Sequence, residues 1–129
     1  MSAGGLQFLL VFLGGGLGSA MRHGMNLLAA RWLGTQYPLG TLGINVLGAF
    51  AMGVVVEYWA SRSGLSPQAR LFLATGVMGG FTTFSTFALE VAVLQSRGEM
   101  LAAGLYVAGS LVLGIGALYA GMALVRVLP

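Results

Sequence analysis

The residues best suited to chemistry form one polar run in an otherwise apolar stretch of the chain, residues 79–87, which read GGFTTFSTF. Its hydroxyl residues, each able to donate one O–H, are Thr82, Thr83, Ser85 and Thr86. Phe84 and Phe87 are three residues apart and share a helical face, where their ring edges carry partial positive charge. These groups could replace the hydration shell of a small anion without trapping it. Because no ring of carboxylates is present for a cation, a small anion matches the run best.

Two further groups of polar residues lie in neighbouring apolar segments. Asn45 adds an amide with two N–H donors, and Thr41, four residues earlier, lies on the same helical face. Tyr106 and Ser110 are likewise four residues apart and can supply two hydroxyls along one stripe. Asn45 alone is equally explained by a hydrogen bond between helices. Taken with residues 79–87, these groups predict a polar track through the apolar segments.

Arg22 and Glu90 are charged residues inside apolar segments, where charge is costly and often functional. Arg22 either attracts anions at a mouth of the track or extends its guanidinium to the membrane surface. Glu90 follows Phe87 by three residues on the same face. It could be a proton-sensitive gate, the partner of an arginine, or a carboxyl kept neutral by burial. We favour a structural or tuning role for Glu90 over catalysis.

The composition indicates that lipid, not water, surrounds these residues. Of the 129 residues 57% are apolar and 7% charged, and the mean hydropathy is +0.91, whereas soluble domains carry about 25% charged residues. Using the charges as boundaries, we predict an all-α integral membrane protein with four transmembrane helices, at residues 6–32, 39–60, 69–95 and 100–126, in a single domain of residues 1–129. Glycines spaced one turn apart inside these spans favour close helix packing.

The third span should be broken within the polar run. Gly79 and Gly80 weaken a helix, and Thr82 and Thr83 are both suitable N-caps for a new one. Unwound backbone at membrane depth is tolerated only where it is buried in protein or lines a cavity. The break therefore places the polar side chains beside a pathway.

The basic residues are almost evenly divided between the two ends of four such spans. Arg62, Arg70 and Arg126 fall at the end that holds the N-terminus, and Arg31 and Arg97 at the other, with Arg22 added if it faces there. Because an excess of Lys and Arg normally fixes orientation, a near tie predicts insertion both ways and makes an antiparallel dimer possible. The alternative is that one early arginine decides the orientation.

Several functional classes are disfavoured. Six scattered arginines with no basic cluster do not favour nucleic-acid binding, and a chain with no Cys, one His and three Glu is poor in metal ligands. Nothing in the chain pairs a nucleophile with a base, so we do not expect an enzyme. The first 21 residues lack Lys and Arg, so the opening apolar run is expected to be a retained helix rather than a secretory signal.

The chain resembles the Fluc family of fluoride channels, also called the CrcB-like family, over almost its whole length. The motifs are GxxxR ending at Arg22, GTLxxN at residues 40–45, GGFTTFSTFxxE at residues 79–90, and Tyr106 with Ser110. The third is long and unusual enough to be specific, whereas GxxxR alone is weak.

The resemblance implies an antiparallel, dual-topology homodimer in the cell inner (plasma) membrane, with two pores that passively export fluoride from the cytoplasm. It implies that Phe84 and Phe87 face the ion and that Asn45 donates to it. The polar track and vestibule would comprise Thr41, Ser85, Thr86, Tyr106, Ser110 and Glu90. It further implies that the backbone carbonyls of Gly79 and Thr82 from both subunits hold a structural Na⁺.

Two rival functions remain open from the sequence. A small dual-topology, proton-coupled multidrug or cation exporter would also have four helices and a membrane carboxylate, although that class usually carries the acid in its first span, which here has none. A non-transporting assembly subunit held by its glycine faces predicts no ion flux.

Overall fold

The structure, a computed structural model, describes all 129 residues and is entirely helical. Helix α1 spans Ala3–Leu33 and α2 spans Leu39–Ser61. The third helical region, Pro67–Ser96, is divided into α3 (residues 67–81) and α4 (Phe84–Ser96), and α5 spans Met100–Arg126. Four helical regions are thus long and apolar enough to cross a membrane, the third of them broken. The predictions of four transmembrane helices and of a break in the third are confirmed. The assignment of residues 1–129 to a single channel domain stays a prediction.

The break between α3 and α4 consists of two extended residues. Thr82 has ψ 156° and Thr83 has ψ 120°, so neither continues the helix. The Thr83 hydroxyl accepts a hydrogen bond from the Thr86 N–H at 3.3 Å, which makes Thr83 the N-cap of α4. The Thr82 hydroxyl instead donates back to the Met78 carbonyl at 3.0 Å. Of the two predicted caps, only Thr83 acts as one.

Helix α3 contains a feature that the sequence does not indicate. Its residues Leu71–Met78 form a π-helix, flanked by α-helical turns on either side. π-Helical turns are rare and occur frequently at functional sites.

Glycines bring α1 and α3 into backbone contact. A Cβ added at Gly14 would lie 2.9 Å from the Cα of Gly76, and one added at Gly80 would overlap the carbonyl oxygen of Gly15. Real Cβ atoms essentially never approach so closely. The predicted close packing is therefore present along this helix pair, which runs parallel.

Polar contacts define two ends of the bundle. At the N-terminal end, Arg126 pairs with Glu57 at 3.2 Å and Arg62 donates to the carbonyl of Pro129 at 2.9 Å. At the opposite end, Arg97 donates to the carbonyl of Gln36 at 2.7 Å. Arg62 and Arg126 thus lie at one end of the bundle and Arg97 at the other, as the four predicted spans require.

Candidate ion pathway

Asn45 of α2 holds the break in the third span. Its Nδ2 donates to the Thr83 carbonyl at 3.0 Å, and its Oδ1 accepts from the Thr83 N–H at 2.8 Å. One amide therefore satisfies both backbone groups of an extended residue, which would otherwise be unpaired at membrane depth. Because an amide nitrogen has two N–H donors, one remains for another acceptor.

Arg22 of α1 reaches the same break from the other side. Its Nε donates to the Gly80 carbonyl at 3.2 Å, and the Ser19 hydroxyl donates to the same oxygen at 3.4 Å. Arg22 is half-buried and contacts backbone, an arrangement that neither interpretation of its sequence position anticipated. The local sequence does not show this contact, which follows from the packing of Gly18, one turn earlier, against Val77.

Three aromatic rings form a continuous row from α4 to α5. The centroids of Phe84 and Phe87 are 5.6 Å apart, and those of Phe87 and Tyr106 are 5.0 Å apart with an edge-to-face tilt of 62°. Phe87 is half-buried, whereas Phe84 is 77% exposed on the surface of the subunit. Both phenylalanines thus lie on one face, as their spacing predicts, but a single subunit encloses only one of them.

The polar side chains next to this row are buried or half-buried, and two of them lack partners. The Thr41 hydroxyl donates to Oε1 of Glu90 at 2.5 Å, and no arginine lies within ion-pair distance of that carboxylate. The hydroxyl oxygens of Tyr106 and Ser110 are buried and form no hydrogen bond within the protein. An unsatisfied buried polar group costs about 1–3 kcal/mol, so two such hydroxyls on one stripe point to a ligand or water.

The predicted site residues line two cavities. One, of about 260 Å³, lies near the opposite end and is lined by Thr41, Thr86 and Glu90 among others. The second, of about 410 Å³, is lined by Asn45, Thr82, Thr83, Phe84 and Ser110 among others. Phe84, Phe87 and Glu90 follow one another along α4 at one-turn intervals, so Phe87 lies on the helix between a residue of the larger cavity and a residue of the smaller one. Ser85 is exposed and lines neither cavity.

The break also frees two backbone carbonyls. In a continuous helix the carbonyls of Gly79 and Thr82 would accept from the N–H groups of Thr83 and Thr86. Those N–H groups donate instead to Asn45 and to the Thr83 hydroxyl. Unwound carbonyls of this kind commonly coordinate Na⁺ in membrane proteins, so the residues present fit such an ion.

The model of the family described as "CrcB-like protein, Camphor Resistance (CrcB)" matches residues 9–122, most of the chain. The chain belongs to the CrcB-like family. It is 50% identical over 121 residues to the fluoride-specific ion channel FluC 2 of Nitrobacter hamburgensis, covering 94% of this chain and 98% of the relative. It is likewise 50% identical to the fluoride-specific ion channel FluC of Rhodopseudomonas palustris, with the same coverage. The FluC of Methylobacterium nodulans is 52% identical, covering 94% of this chain and 97% of that protein.

The family membership and the four long apolar helices show that the CrcB-like chain is a multi-pass membrane protein. In bacteria such a protein lies in the plasma membrane. Its family is one of ion channels rather than enzymes. Apart from the exposed Ser85, the residues named from the sequence lie at the break, in the aromatic row or along the two cavities. Sequence reasoning missed the Arg22 contact with Gly80 and the two hydrogen bonds that fasten Asn45 to Thr83.

Proposed function

We propose that this CrcB-like protein is a fluoride-specific channel that passively exports fluoride from the cytoplasm. The observation that carries the proposal is the pair of buried, unpartnered hydroxyls of Tyr106 and Ser110 beside the aromatic row. These donors suit a small anion, and the names of the relatives identify it as fluoride rather than favouring a drug or cation exporter.

Fluoride would lose water and gain fixed donors as it passes. The remaining N–H of Asn45 and the hydroxyl of Ser110 would receive it in the larger cavity, and the positive rims of Phe84 and Phe87 would carry it from there toward the smaller cavity. Neutral donors hold an anion weakly enough for release, which conduction requires. After Phe87 the ion would meet the Tyr106 hydroxyl and the smaller cavity.

The remaining site residues would form the track and its vestibule. Thr41, Thr86 and Glu90 would line the smaller cavity, with Ser85 completing the set of hydroxyls on α4. The bond from Thr41 fixes the Glu90 carboxyl, which would tune the barrier to anions rather than carry them. Arg22 would contribute positive charge near the vestibule while holding the break.

The functional unit would be an antiparallel homodimer with two pores. Phe84, which should face the ion, is 77% exposed on one subunit, so a second copy is needed to enclose it. Gly114 lines the same open cavity, and a Cβ added there would meet no atom within 4 Å, which leaves room for a neighbouring helix. The even division of arginines favours insertion in both orientations.

A structural Na⁺ would lie between the two subunits. The carbonyls of Gly79 and Thr82, freed by the break, would hold it from both sides. A cation there would compensate oxygens that have lost their helical partners. Because those ligands are main-chain atoms, their side chains have little influence on binding.

Fluoride efflux from liposomes that contain the purified protein tests the channel. We expect fluoride efflux and little chloride efflux, and we expect Phe84→Ile and Phe87→Ile each to abolish most of the fluoride current. Phe12→Ile is the matched control, because Phe12 is equally exposed, at 76%, but lies on α1 away from both cavities. Equal chloride flux, or equal loss in the Phe12 variant, would refute the proposal.

The orientation can be measured separately, because the chain contains no cysteine. A single cysteine added after residue 129 should react with an impermeant maleimide from both sides of the membrane to about equal extents. Labelling from one side alone would exclude the antiparallel dimer.

A further inference from the structure

A third cavity lies at the N-terminal end of the bundle, outside the ion pathway. Its volume is about 240 Å³, and it is lined mainly by the polar residues Gln7, Gln68, Arg70 and Thr75, with Leu71 and Pro67. None of these residues lines either cavity of the pathway. The channel function therefore gives no reason for a polar cavity here.

The donors in this cavity have no partner within the protein. Gln7, Arg70 and Thr75 are exposed, and their amide, guanidinium and hydroxyl donors form no hydrogen bond within the protein; Arg70 also forms no ion pair. The cavity contains no acidic residue, and Glu57 at this end of the bundle is already paired with Arg126. The cavity thus carries one positive charge and several donors, which suits an anion with several oxygen acceptors.

The position of the cavity corresponds to the lipid headgroup layer. Helices α1 and α3 run parallel, with Gly14 against Phe72 and Gly76, so Gln7 lies about two turns nearer to the end of the bundle, beside Arg70. Trp59 donates its indole N–H to the Ser66 carbonyl just before α3 begins, and tryptophan is enriched at this depth.

The π-helix of α3 is a second, independent feature of this cavity. Leu71 and Thr75, which line the cavity, belong to its eight residues. Such stretches are often associated with function, and no residue of this one lines a cavity of the pathway. The rare backbone geometry and the unpartnered donors coincide at one place.

We propose that this cavity binds the phosphodiester of an anionic phospholipid such as phosphatidylglycerol. The Arg70 guanidinium would bind the phosphate oxygens as a planar fork, and the Gln7 amide and Thr75 hydroxyl would donate to the remaining oxygens. A headgroup that carries a quaternary ammonium group would bring a second cation beside Arg70 with no carboxylate to receive it. The cavity therefore favours phosphatidylglycerol over phosphatidylcholine.

Native mass spectrometry of the purified full-length protein tests this site without reference to ion flux. Detergent solutions would contain phosphatidylglycerol and phosphatidylcholine in equal amounts, and retained lipid would be counted. We expect Arg70→Gln to lower phosphatidylglycerol retention about fivefold, the change that corresponds to about 1 kcal/mol per arginine near a lipid surface. Arg31→Gln is the matched control, because Arg31 is also exposed and unpaired but lines no cavity at its end.

Thr75→Val keeps the positive charge of Arg70 and should therefore lower phosphatidylglycerol retention by less than Arg70→Gln does. It provides the test if Arg70→Gln does not fold. Equal retention by wild type and both cavity variants would overturn the proposal, as would an equal loss in Arg31→Gln. Displacement of the lipid by millimolar inorganic phosphate would show that a free anion, not a lipid, occupies the site. A fall in the dimer population of Arg70→Gln, with lipid retention unchanged, would assign the cavity to a second subunit.

Discussion

Replacing Gly18 with alanine tests whether helix contact positions the break. A Cβ at this position would lie 2.8 Å from the amide nitrogen of Phe81 and would also overlap the carbonyl oxygen of Val77. Both neighbours are backbone atoms, so neither can turn aside as a flexible side chain could. Helix α1 must therefore move away from α3.

The size of the effect follows from these contacts. Ordinary Cβ contacts begin at 3.4 Å, so relief at Phe81 alone needs a shift of about 0.6 Å. The bond from Arg22 to the Gly80 carbonyl, now 3.2 Å, would stretch beyond useful length. Overpacking of this kind costs about 1–3 kcal/mol. We expect Gly18→Ala to lower the free energy of unfolding by about 2 kcal/mol and to reduce fluoride efflux.

Gly16→Ala is the control, because a Cβ there meets nothing within 4 Å. Alanine in an open helical position gains about 0.5–1 kcal/mol over glycine, so this variant should be at least as stable as wild type. Reversible unfolding in mixed detergent micelles measures both variants, and liposome efflux measures their activity. If Gly18→Ala were as stable and as active as Gly16→Ala, the contact between α1 and α3 would not position the break.

Three further substitutions test the groups that fasten the break. Asn45→Leu leaves the N–H and the carbonyl of Thr83 unpaired and should cost about 2–5 kcal/mol of unfolding free energy; a cost below 1 kcal/mol would show that water replaces the amide. Arg22→Lys keeps the charge but loses the Nε donor to Gly80, so fluoride efflux should fall even though the charge remains; wild-type efflux would assign Arg22 a purely electrostatic role. Thr83→Ala removes the cap that accepts from Thr86 and should destabilise the protein by about 1 kcal/mol in the same unfolding assay, and no change would contradict the capping role.

The sequence predicted those parts of the fold that depend on local composition. The lack of charge defined four membrane helices, and the consecutive glycines and threonines located the break. The sequence could not show which threonine caps α4, since Thr82 and Thr83 are equivalent by type. The choice depends on Asn45, which binds the backbone of Thr83 from another helix.

Contacts between distant segments limited the prediction of the site. Arg22 and Gly80 are 58 positions apart, and their hydrogen bond exists only because glycines let α1 and α3 approach. The π-helix had no composition signal, because residues 71–78 read LFLATGVM, which suits an ordinary helix equally well. Helix periodicity predicted that Phe84 and Phe87 share a face, as they do in the structure. It could not predict contacts between residues on different helices, and the roles of the pathway residues stay predictions.

The double hydrogen bond between Asn45 and Thr83 would link the proposed ion recognition to folding. Asn45, the side chain proposed to contact the permeating ion, also holds the backbone of the break between α3 and α4. Replacing Asn45 to favour another anion would also remove the two hydrogen bonds that stabilise the break. Engineering a new preference would therefore begin at the phenyl rings, where side chains can be exchanged without releasing the main chain.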